Sequence, residues 1–320
     1  MTTVSVFFLG ATGYLGGKAV FANLIENFSN FKITALVRRN AHLDVVRRQR
    51  VEVVQGTFSD TDLITSHARA ADITVNIADS DDVGLTTAIL AGQKARVVKD
   101  KKNPAVLLHT SGVAVWNDGN EEDIRAINSD RLHGPVDVSI LHASTDGYTE
   151  SYIICPGAIV GPVVTSSLFF RFITALALKQ KKSVYIGEGS NVFYGADLED
   201  LVDLYKLVFE RILSRGDAKA SPYARYYIAA NTPLVWKNIA TLLGKTLKQL
   251  GKIEDAVPQS ISVADLSSSP EVPVFIGASQ NVQGERAQAL GWNPRAVELE
   301  ESMDEGVKVA LEADRKTDEP

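Results

Sequence analysis

The sequence predicts an α/β protein with a doubly wound parallel β-sheet, followed by a smaller C-terminal region. Two observations lead to this fold class. Six short apolar segments, rich in β-branched and aromatic residues, recur along the first half of the chain, and such segments are typical of strands buried on both faces. Segments of crossover length, several with helical patterning, separate most of them, as in successive βαβ units.

The predicted elements follow in order along the chain. The six strands are Val4–Leu9, Ile33–Val37, Val51–Val54, Ile73–Ile77, Ala105–His109 and Tyr152–Cys155. A helix is predicted directly after the first strand, and another ends near Val98. In the second half, short strands are predicted at Val184–Ile186 and Tyr226–Ala229, and helices over about 166–179, 198–213, 236–250 and 280–290.

Composition excludes several classes of protein. The 33 Lys and Arg residues against 39 Asp and Glu give a net charge of −6, which disfavours nucleic-acid binding by bulk electrostatics. One cysteine, Cys155, excludes an intrachain disulfide framework. No segment approaches the roughly 18 apolar residues of a membrane-spanning helix, and no basic residue precedes the first apolar run. The sequence therefore predicts a soluble cytoplasmic protein without nucleic-acid or membrane partners.

A glycine-rich turn joins the first strand to the first helix, with the spacing G-x-x-G-x-x-G. Glycines in this position permit a tight turn and a close approach of the backbone to a pyrophosphate, which also meets the positive end of the helix. A purely structural turn is the alternative, but the strand before and the helix after favour a dinucleotide site. The loop residues assigned to the cofactor are Gly10, Thr12, Gly13, Tyr14, Leu15 and Gly16.

With this glycine spacing, the chain resembles the extended and atypical branches of the short-chain dehydrogenase/reductase superfamily. Cys155–Pro162 is similar to the family's segment beside the nicotinamide, Val192–Asp203 to its val-his-val-asp-asp segment, and Arg286–Pro294 to its leu-gly-trp-x-pro signature. The resemblance spans about residues 4–310 and implies a Rossmann-type fold. It also implies cofactor contacts at Phe58, Asp60, Ala78, Thr110, Pro156, Gly157, Ala158 and Ile159.

The resemblance also suggests the domain organisation. We predict a dinucleotide-binding domain over residues 1–162, to which 191–231 return, and a substrate-capping region formed by 163–190 and 232–320. A small-molecule substrate would bind between the two parts, and a homodimer is compatible with the sequence.

Two arginines at the end of the second strand decide which dinucleotide is predicted. An NAD site usually has an acidic residue there for the ribose 2′-hydroxyl, whereas this chain has Arg38 and Arg39. Guanidinium groups pair well with a 2′-phosphate. Solvated surface arginines are the alternative, and we predict NADP(H).

The proton-transfer residues that the resemblance implies are missing. Ser111 follows the fifth strand, where the family has a catalytic Ser or Thr, but no tyrosine lies near 131–141 and no lysine between 103 and 178. His133 is one substitute, with Asp137 four residues on to polarise it, and Tyr148 is another. A histidine at a helix entry, without a catalytic role, is the alternative for His133. Asp79, Asp81 and Asp82 are predicted to form a capped loop, and no metal site is predicted.

These residues leave three functions open. The first is an NADP(H)-dependent oxidoreductase for a small carbonyl or related metabolite, with a non-standard proton donor among Ser111, His133 and Tyr148. The second is an NADP(H)-sensing regulator resembling the NmrA-like proteins, which lack the same Tyr–Lys pair. The third is a non-redox isomerase or dehydratase on the same fold.

Overall fold

The core of the molecule is a seven-stranded sheet whose strands are all parallel. This computed structural model describes residues 3–39, 46, 51–117, 124–161, 167–217, 219–266 and 275–317. Numbered in chain order, the strands of this sheet are β1 (Val4–Leu9), β2 (Phe31–Val37), β3 (Glu52–Gln55), β4 (Ile73–Asn76), β5 (Ala105–Thr110), β6 (Thr149–Pro156) and β10 (Tyr226–Ala229). Their order across the sheet is β10-β6-β5-β4-β1-β2-β3.

Helices cover both faces of this sheet. One face packs against a π-helical segment (Gly16–Phe21), α1 (Ala22–Asn27) and α6 (Leu198–Ser214), and the other against α2 (Thr61–Ala70), α3 (Val83–Val98) and α4 (Gly134–Thr145). Successive strand residues alternate between the two cores, as Phe7 and Phe8 do in β1. The predicted doubly wound α/β fold is confirmed.

A second, smaller lobe has its own core. It contains a three-stranded sheet of β7 (Ala158–Val160), β9 (Val192–Asp197) and β11 (Thr232–Val235). A two-stranded sheet pairs β8 (Val184–Ile186) with β12 (Gln259–Ile261). Its helices are α5 (Leu168–Gln180), α7 (Trp236–Gln249) and α9 (Leu299–Thr317), and α8 (Glu285–Ala289) lies against β10. Within the segment 191–231, β10 pairs with the main sheet and α6 packs on one of its faces, whereas β9 pairs with β7 and β11. The predicted boundary at 162 and 163 lies outside the described residues.

The leu-gly-trp segment is hydrogen-bonded to the first turn of α6. The indole Nε1 of Trp292 donates to the Asp200 carbonyl at 2.7 Å, and the Arg295 backbone N–H donates to the Asp200 carboxylate at 2.7 Å. Asp197 caps the helix by accepting from the backbone N–H groups of Glu199 and Asp200. Carboxylates in this first turn also complement the helix dipole.

The helix predicted over 280–290 is wrong in its first half. Gln280 lies outside the short α8 because its backbone N–H donates to Val192 and its buried side chain joins two segments. Its amide oxygen accepts from the Tyr194 N–H at 3.0 Å, and its amide nitrogen donates to Asn117 Oδ1 at 2.9 Å. None of the described helices is long and apolar enough to cross a membrane.

Candidate functional site

The glycine turn after β1 has a backbone that only glycine allows. Gly10 has φ +99°, and a Cβ there would lie 2.8 Å from the Ile77 carbonyl carbon. A Cβ on Gly16 would overlap the Gly10 carbonyl oxygen, which also accepts from the Gly13 N–H at 2.9 Å. Thr12 and Gly13 are exposed at the top of the turn. This open turn at the start of a helix fits a pyrophosphate.

Two other loop residues anchor the turn. Leu15 is buried in the core beneath it. The Tyr14 hydroxyl is buried without a hydrogen-bond partner among the described residues. Burial, followed by the nearby charge of Asp197, raises the pKa of Tyr14, which therefore stays neutral.

At the neighbouring corner, Arg38 and Arg39 are exposed and form no ion pair within the described part of the chain. The Arg38 guanidinium carbon lies 4.3 Å from the centre of the Phe58 ring, a cation–π contact. The nearby carboxylate of Asp60 is engaged elsewhere: it accepts from the Thr57 N–H at 2.5 Å and the Thr57 hydroxyl at 2.9 Å. These bonds, the backbone one first, lower the pKa of Asp60. The corner therefore offers positive charge to an anion.

The loop after β4 is organised by its aspartates. Asp79 accepts from the backbone N–H groups of Asp81 and Asp82, and Asp82 caps α3 by accepting from Leu85 N–H at 2.8 Å. Ala78, at the start of this loop, donates its N–H to the Asn76 side chain at 3.2 Å. The carboxylate of Asp81 takes no part in these backbone contacts.

Asp81 pairs with His133. Its Oδ1 lies 2.9 Å from His133 Nδ1 and also accepts the His133 backbone N–H at 3.1 Å. Burial alone would raise the pKa of Asp81, but the hydrogen bonds from His133 hold it below its ordinary value, so Asp81 is a carboxylate that accepts from Nδ1–H. His133 has φ +66° directly before α4, a conformation that is uncommon outside glycine and found at functional sites.

The second ring nitrogen of His133 lies beside the end of β5. A Cβ built on Gly112 would be 2.7 Å from His133 Nε2, so the imidazole packs directly on the Gly112 backbone. Ser111 precedes this glycine, and the structure therefore brings Ser111 and His133 together at the carboxyl edge of the sheet. The prediction that Asp137 polarises His133 is wrong: α4 begins after His133, and Asp137 bonds to Ser111 instead.

Asp137 and Tyr226 form a buried group behind Ser111, which the sequence did not indicate. The Ser111 hydroxyl donates to Asp137 Oδ2 at 2.7 Å, and the Tyr226 hydroxyl donates to the same oxygen at 2.8 Å. Burial raises the pKa of Asp137 to about 6, against the lowering effect of these two bonds. Tyr226 is 89 residues from Asp137 along the chain, so no local motif could have linked them.

Two predicted residues lie away from this site. Tyr148 precedes β6, at the edge where Thr149 pairs with Ala105, about 17 Å of strand from the carboxyl edge. Its ring contacts Lys94 instead, with Nζ 4.5 Å from the ring centre, so it is wrong as a proton donor. The Thr110 hydroxyl lies 2.5 Å from the Tyr205 hydroxyl of α6, on the face opposite Ser111.

The segment after β6 lies at the same edge as the glycine turn. Pro156 ends β6, Gly157 donates its N–H to the Ala229 carbonyl at 3.0 Å, and Ala158 and Ile159 begin β7. The predicted contact residues Pro156–Ile159 therefore lie at the junction between the main sheet and the second lobe. Among the described residues, no group of three His, Cys, Asp or Glu side chains is arranged to hold a metal ion.

An acidic groove of about 450 Å³ runs between the ends of β7 and β9 and helix α9. Its lining includes Arg295, Asp197, Glu298, Glu301 and Glu305. The Arg295 guanidinium is already paired with Asp197 at 3.2 Å and Glu199 at 3.1 Å, so the groove carries excess negative charge.

No protein-family model matches the chain. It is similar to oxidase ucsJ of Acremonium sp., with 24% identity over 329 residues that cover 91% of this chain and 93% of the relative. Two solved structures share the fold. The PbgP3 protein of Burkholderia pseudomallei has a TM-score of 0.67 and 14% identity, covering 98% of this chain and 97% of its own. The dTDP-glucose 4,6-dehydratase of Bacillus anthracis, in complex with NAD, has a TM-score of 0.64 and 13% identity, covering 98% of both chains. These likenesses establish the Rossmann-type fold that the sequence resemblance implied.

Proposed function

We propose that the protein is an NADP(H)-dependent oxidoreductase for a small carbonyl compound or the corresponding alcohol, with His133 as proton donor and acceptor. The observation that carries this proposal is the Asp81–His133 pair, whose Nε2 lies against Gly112 beside Ser111. It stands at the carboxyl edge of a parallel sheet, where ligands bind in such folds. The name of the relative ucsJ, an oxidase, also supports a redox reaction.

The cofactor would be held by features that fit it. The turn from Gly10 to Gly16 would receive the pyrophosphate on the helix N-terminus, and Arg38 and Arg39 would pair with the 2′-phosphate. Pro156–Ile159 would line the nicotinamide side. When bound, the nicotinamide supplies or accepts the hydride.

The chain itself supplies the proton. Because Nδ1–H is held by the Asp81 carboxylate, Nε2 is the ring nitrogen that exchanges a proton with the substrate oxygen. In reduction, the imidazolium gives its Nε2 proton to the oxygen that gains charge, and the neutral ring keeps the proton on Nδ1. The side chain is 13% exposed, which lets solvent restore the proton afterwards. Ser111 is the second polar group placed for the substrate oxygen.

A panel of aldehydes, ketones and alcohols tests this function. We expect loss of the nicotinamide absorbance of NADPH with at least one carbonyl compound, with one product alcohol formed per NADPH consumed. Tight NADPH binding without turnover of any compound would contradict the proposal and favour the regulator hypothesis.

The choice of NADP(H) has its own test. Replacing both Arg38 and Arg39 with Ala should weaken NADPH binding by about 10- to 100-fold, because two phosphate contacts to charged groups are lost, and should leave NADH binding unchanged. Fluorescence titration with both cofactors measures this. Lys99→Ala and Lys102→Ala, two exposed residues between α3 and β5, form the matched double control, and an equal effect on NADPH and NADH would contradict the assignment.

Gly112→Ala tests the placement of the imidazole. Gly112 has φ −161°, which alanine adopts readily, so the only expected conflict is between the new methyl group and His133 Nε2. We expect turnover to fall about 10- to 100-fold while NADPH affinity and melting temperature stay close to wild type. Gly84→Ala, at the start of α3, is the control, and unchanged turnover in Gly112→Ala would place the substrate away from His133.

A non-redox isomerase or dehydratase is the second candidate, because the Bacillus anthracis structure with the same fold is a dehydratase in complex with NAD. Such an enzyme would turn over substrate without net consumption of the cofactor, which the product-to-NADPH ratio detects. A nucleoside diphosphate would not suit the acidic groove beside Asp197, since phosphates and carboxylates repel.

A further inference from the structure

Behind Ser111 lies a buried group of polar side chains centred on Asp137. Asp137, with no exposed side-chain surface, accepts from Ser111 and Tyr226 on one oxygen. Its other oxygen, Oδ1, has no hydrogen-bond partner among the described residues and lies 3.8 Å from Nε2 of His109, which also has none. Two buried polar atoms therefore face each other across a short gap.

The network fixes which His109 nitrogen carries the proton. The Asn76 side-chain oxygen accepts from the Ala78 N–H at 3.2 Å, so the Asn76 amide nitrogen is the group facing His109 Nδ1 at 3.2 Å. An amide nitrogen only donates, and Nδ1 must accept. Burial lowers the pKa of His109 to about 3, so the ring is neutral and its single proton is on Nε2, toward Asp137.

Three donors thus converge on one carboxyl group, and one of them is the hydroxyl of a site residue. Serine has a single hydroxyl proton. While Asp137 is ionised, that proton is held inward and Ser111 can only accept from a substrate. When Asp137 is protonated on Oδ2, it can donate to Ser111 Oγ, and the Ser111 proton becomes free to point at the substrate.

We propose that Asp137 is a positioning residue that sets, through its own proton, whether Ser111 donates to or accepts from the substrate oxygen. A carbonyl oxygen has only lone pairs, so a donating Ser111 binds it and an accepting Ser111 does not. This inference rests on the proposed function, because it assumes that Ser111 meets the reacting oxygen. It makes carbonyl reduction depend on a buried acid as well as on His133.

The surroundings of Asp137 raise its pKa well above that of an ordinary aspartate. Burial raises its pKa to about 6, while the hydrogen bonds from Ser111 and Tyr226 and the charge of His133 act in the opposite direction. The titratable or charged groups that face it are His109 from β5, Cys155 from β6, Tyr226 from β10, His133 before α4 and Asp81 after β4.

The test compares pH profiles of kcat/KM for reduction of the best carbonyl compound in the panel. In Asp137→Asn, the amide donates to Ser111 at every pH, so the ratio of mutant to wild-type kcat/KM should rise about a hundredfold from pH 5 to pH 8. Taking the ratio cancels any pH dependence that the two proteins share. A ratio that does not change with pH would overturn the inference.

Ser111→Ala provides a second variant if Asp137→Asn folds poorly, which circular dichroism detects. Its kcat/KM should be about a hundredfold below wild type at pH 5, and this deficit should shrink as the pH rises to 8, where Ser111 no longer donates to the carbonyl. A constant deficit at both pH values would also overturn the inference.

A measurement without substrate separates this inference from the proposed function. The Trp116 indole lies edge-on to the Tyr226 ring, with ring centres 6.4 Å apart, so its fluorescence should report the charge on Asp137. The wild type should show an inflection near pH 6, which Asp137→Asn and Trp116→Phe lack and His133→Asn keeps. No inflection in the wild type would contradict the inference even if the carbonyl panel succeeds, and an inflection would persist even if the panel fails.

Discussion

His133→Asn is expected to lower turnover by about 10²–10⁴-fold while NADPH affinity stays at the wild-type value. Asparagine tolerates the positive φ of this position, so the backbone before α4 is kept and only the proton-transferring ring is lost. Steady-state rates with the best carbonyl compound, together with a fluorescence titration of NADPH, measure the two effects separately.

The matched control is His142→Asn within α4, the helix that follows His133. His142 is exposed and should leave turnover unchanged. Asp81→Asn should give an intermediate loss, because the amide still meets His133 Nδ1 but no longer stabilises the imidazolium. Retention of full turnover in His133→Asn would remove the residue from the mechanism, and a parallel loss of NADPH affinity would make its role structural.

Gly16→Ala is expected to weaken NADPH binding by about 5- to 150-fold. The added methyl group overlaps the Gly10 carbonyl oxygen, and overpacking of this kind costs about 1–3 kcal/mol. The backbone must shift to relieve the overlap, and this shift narrows the turn that would receive the pyrophosphate. Fluorescence titration of NADPH measures the affinity.

Gly84→Ala again serves as the control, because a Cβ there meets only Asp82 Oδ1, at 3.3 Å, and no backbone atom. Circular dichroism and thermal unfolding of both variants show whether a loss of binding comes from the narrowed turn or from misfolding of the protein. A well-folded Gly16→Ala protein that binds NADPH like the wild type would show that the cofactor does not use this turn.

The sheet and the glycine turn could be predicted because their signals are local. The apolar run of β1 leads into Gly10 within the same few residues, and a strand followed by such a turn and a helix has one common structural solution. The arginines after β2 could be placed for the same reason, since strand order puts their corner beside the turn.

The pairing within the site could not be predicted, because it depends on contacts between distant segments. Asp81 and His133 are 52 residues apart and meet because the ends of β4 and β5 are adjacent in the sheet. Asp137 faces Ser111 rather than His133 because α4 begins after His133. Tyr148 lies far from Ser111 because a residue directly before a parallel strand lies at the edge opposite the strand's carboxyl end.

A structure of the full chain with NADP⁺ and a bound alcohol or carbonyl ligand would show whether His133 meets the reacting oxygen. We expect a ligand oxygen near the nicotinamide within about 3.2 Å of His133 Nε2, with Nδ1 still bonded to Asp81 and Ser111 on the other side of the oxygen. A ligand oxygen bound by other side chains, with His133 beyond hydrogen-bonding reach, would contradict it.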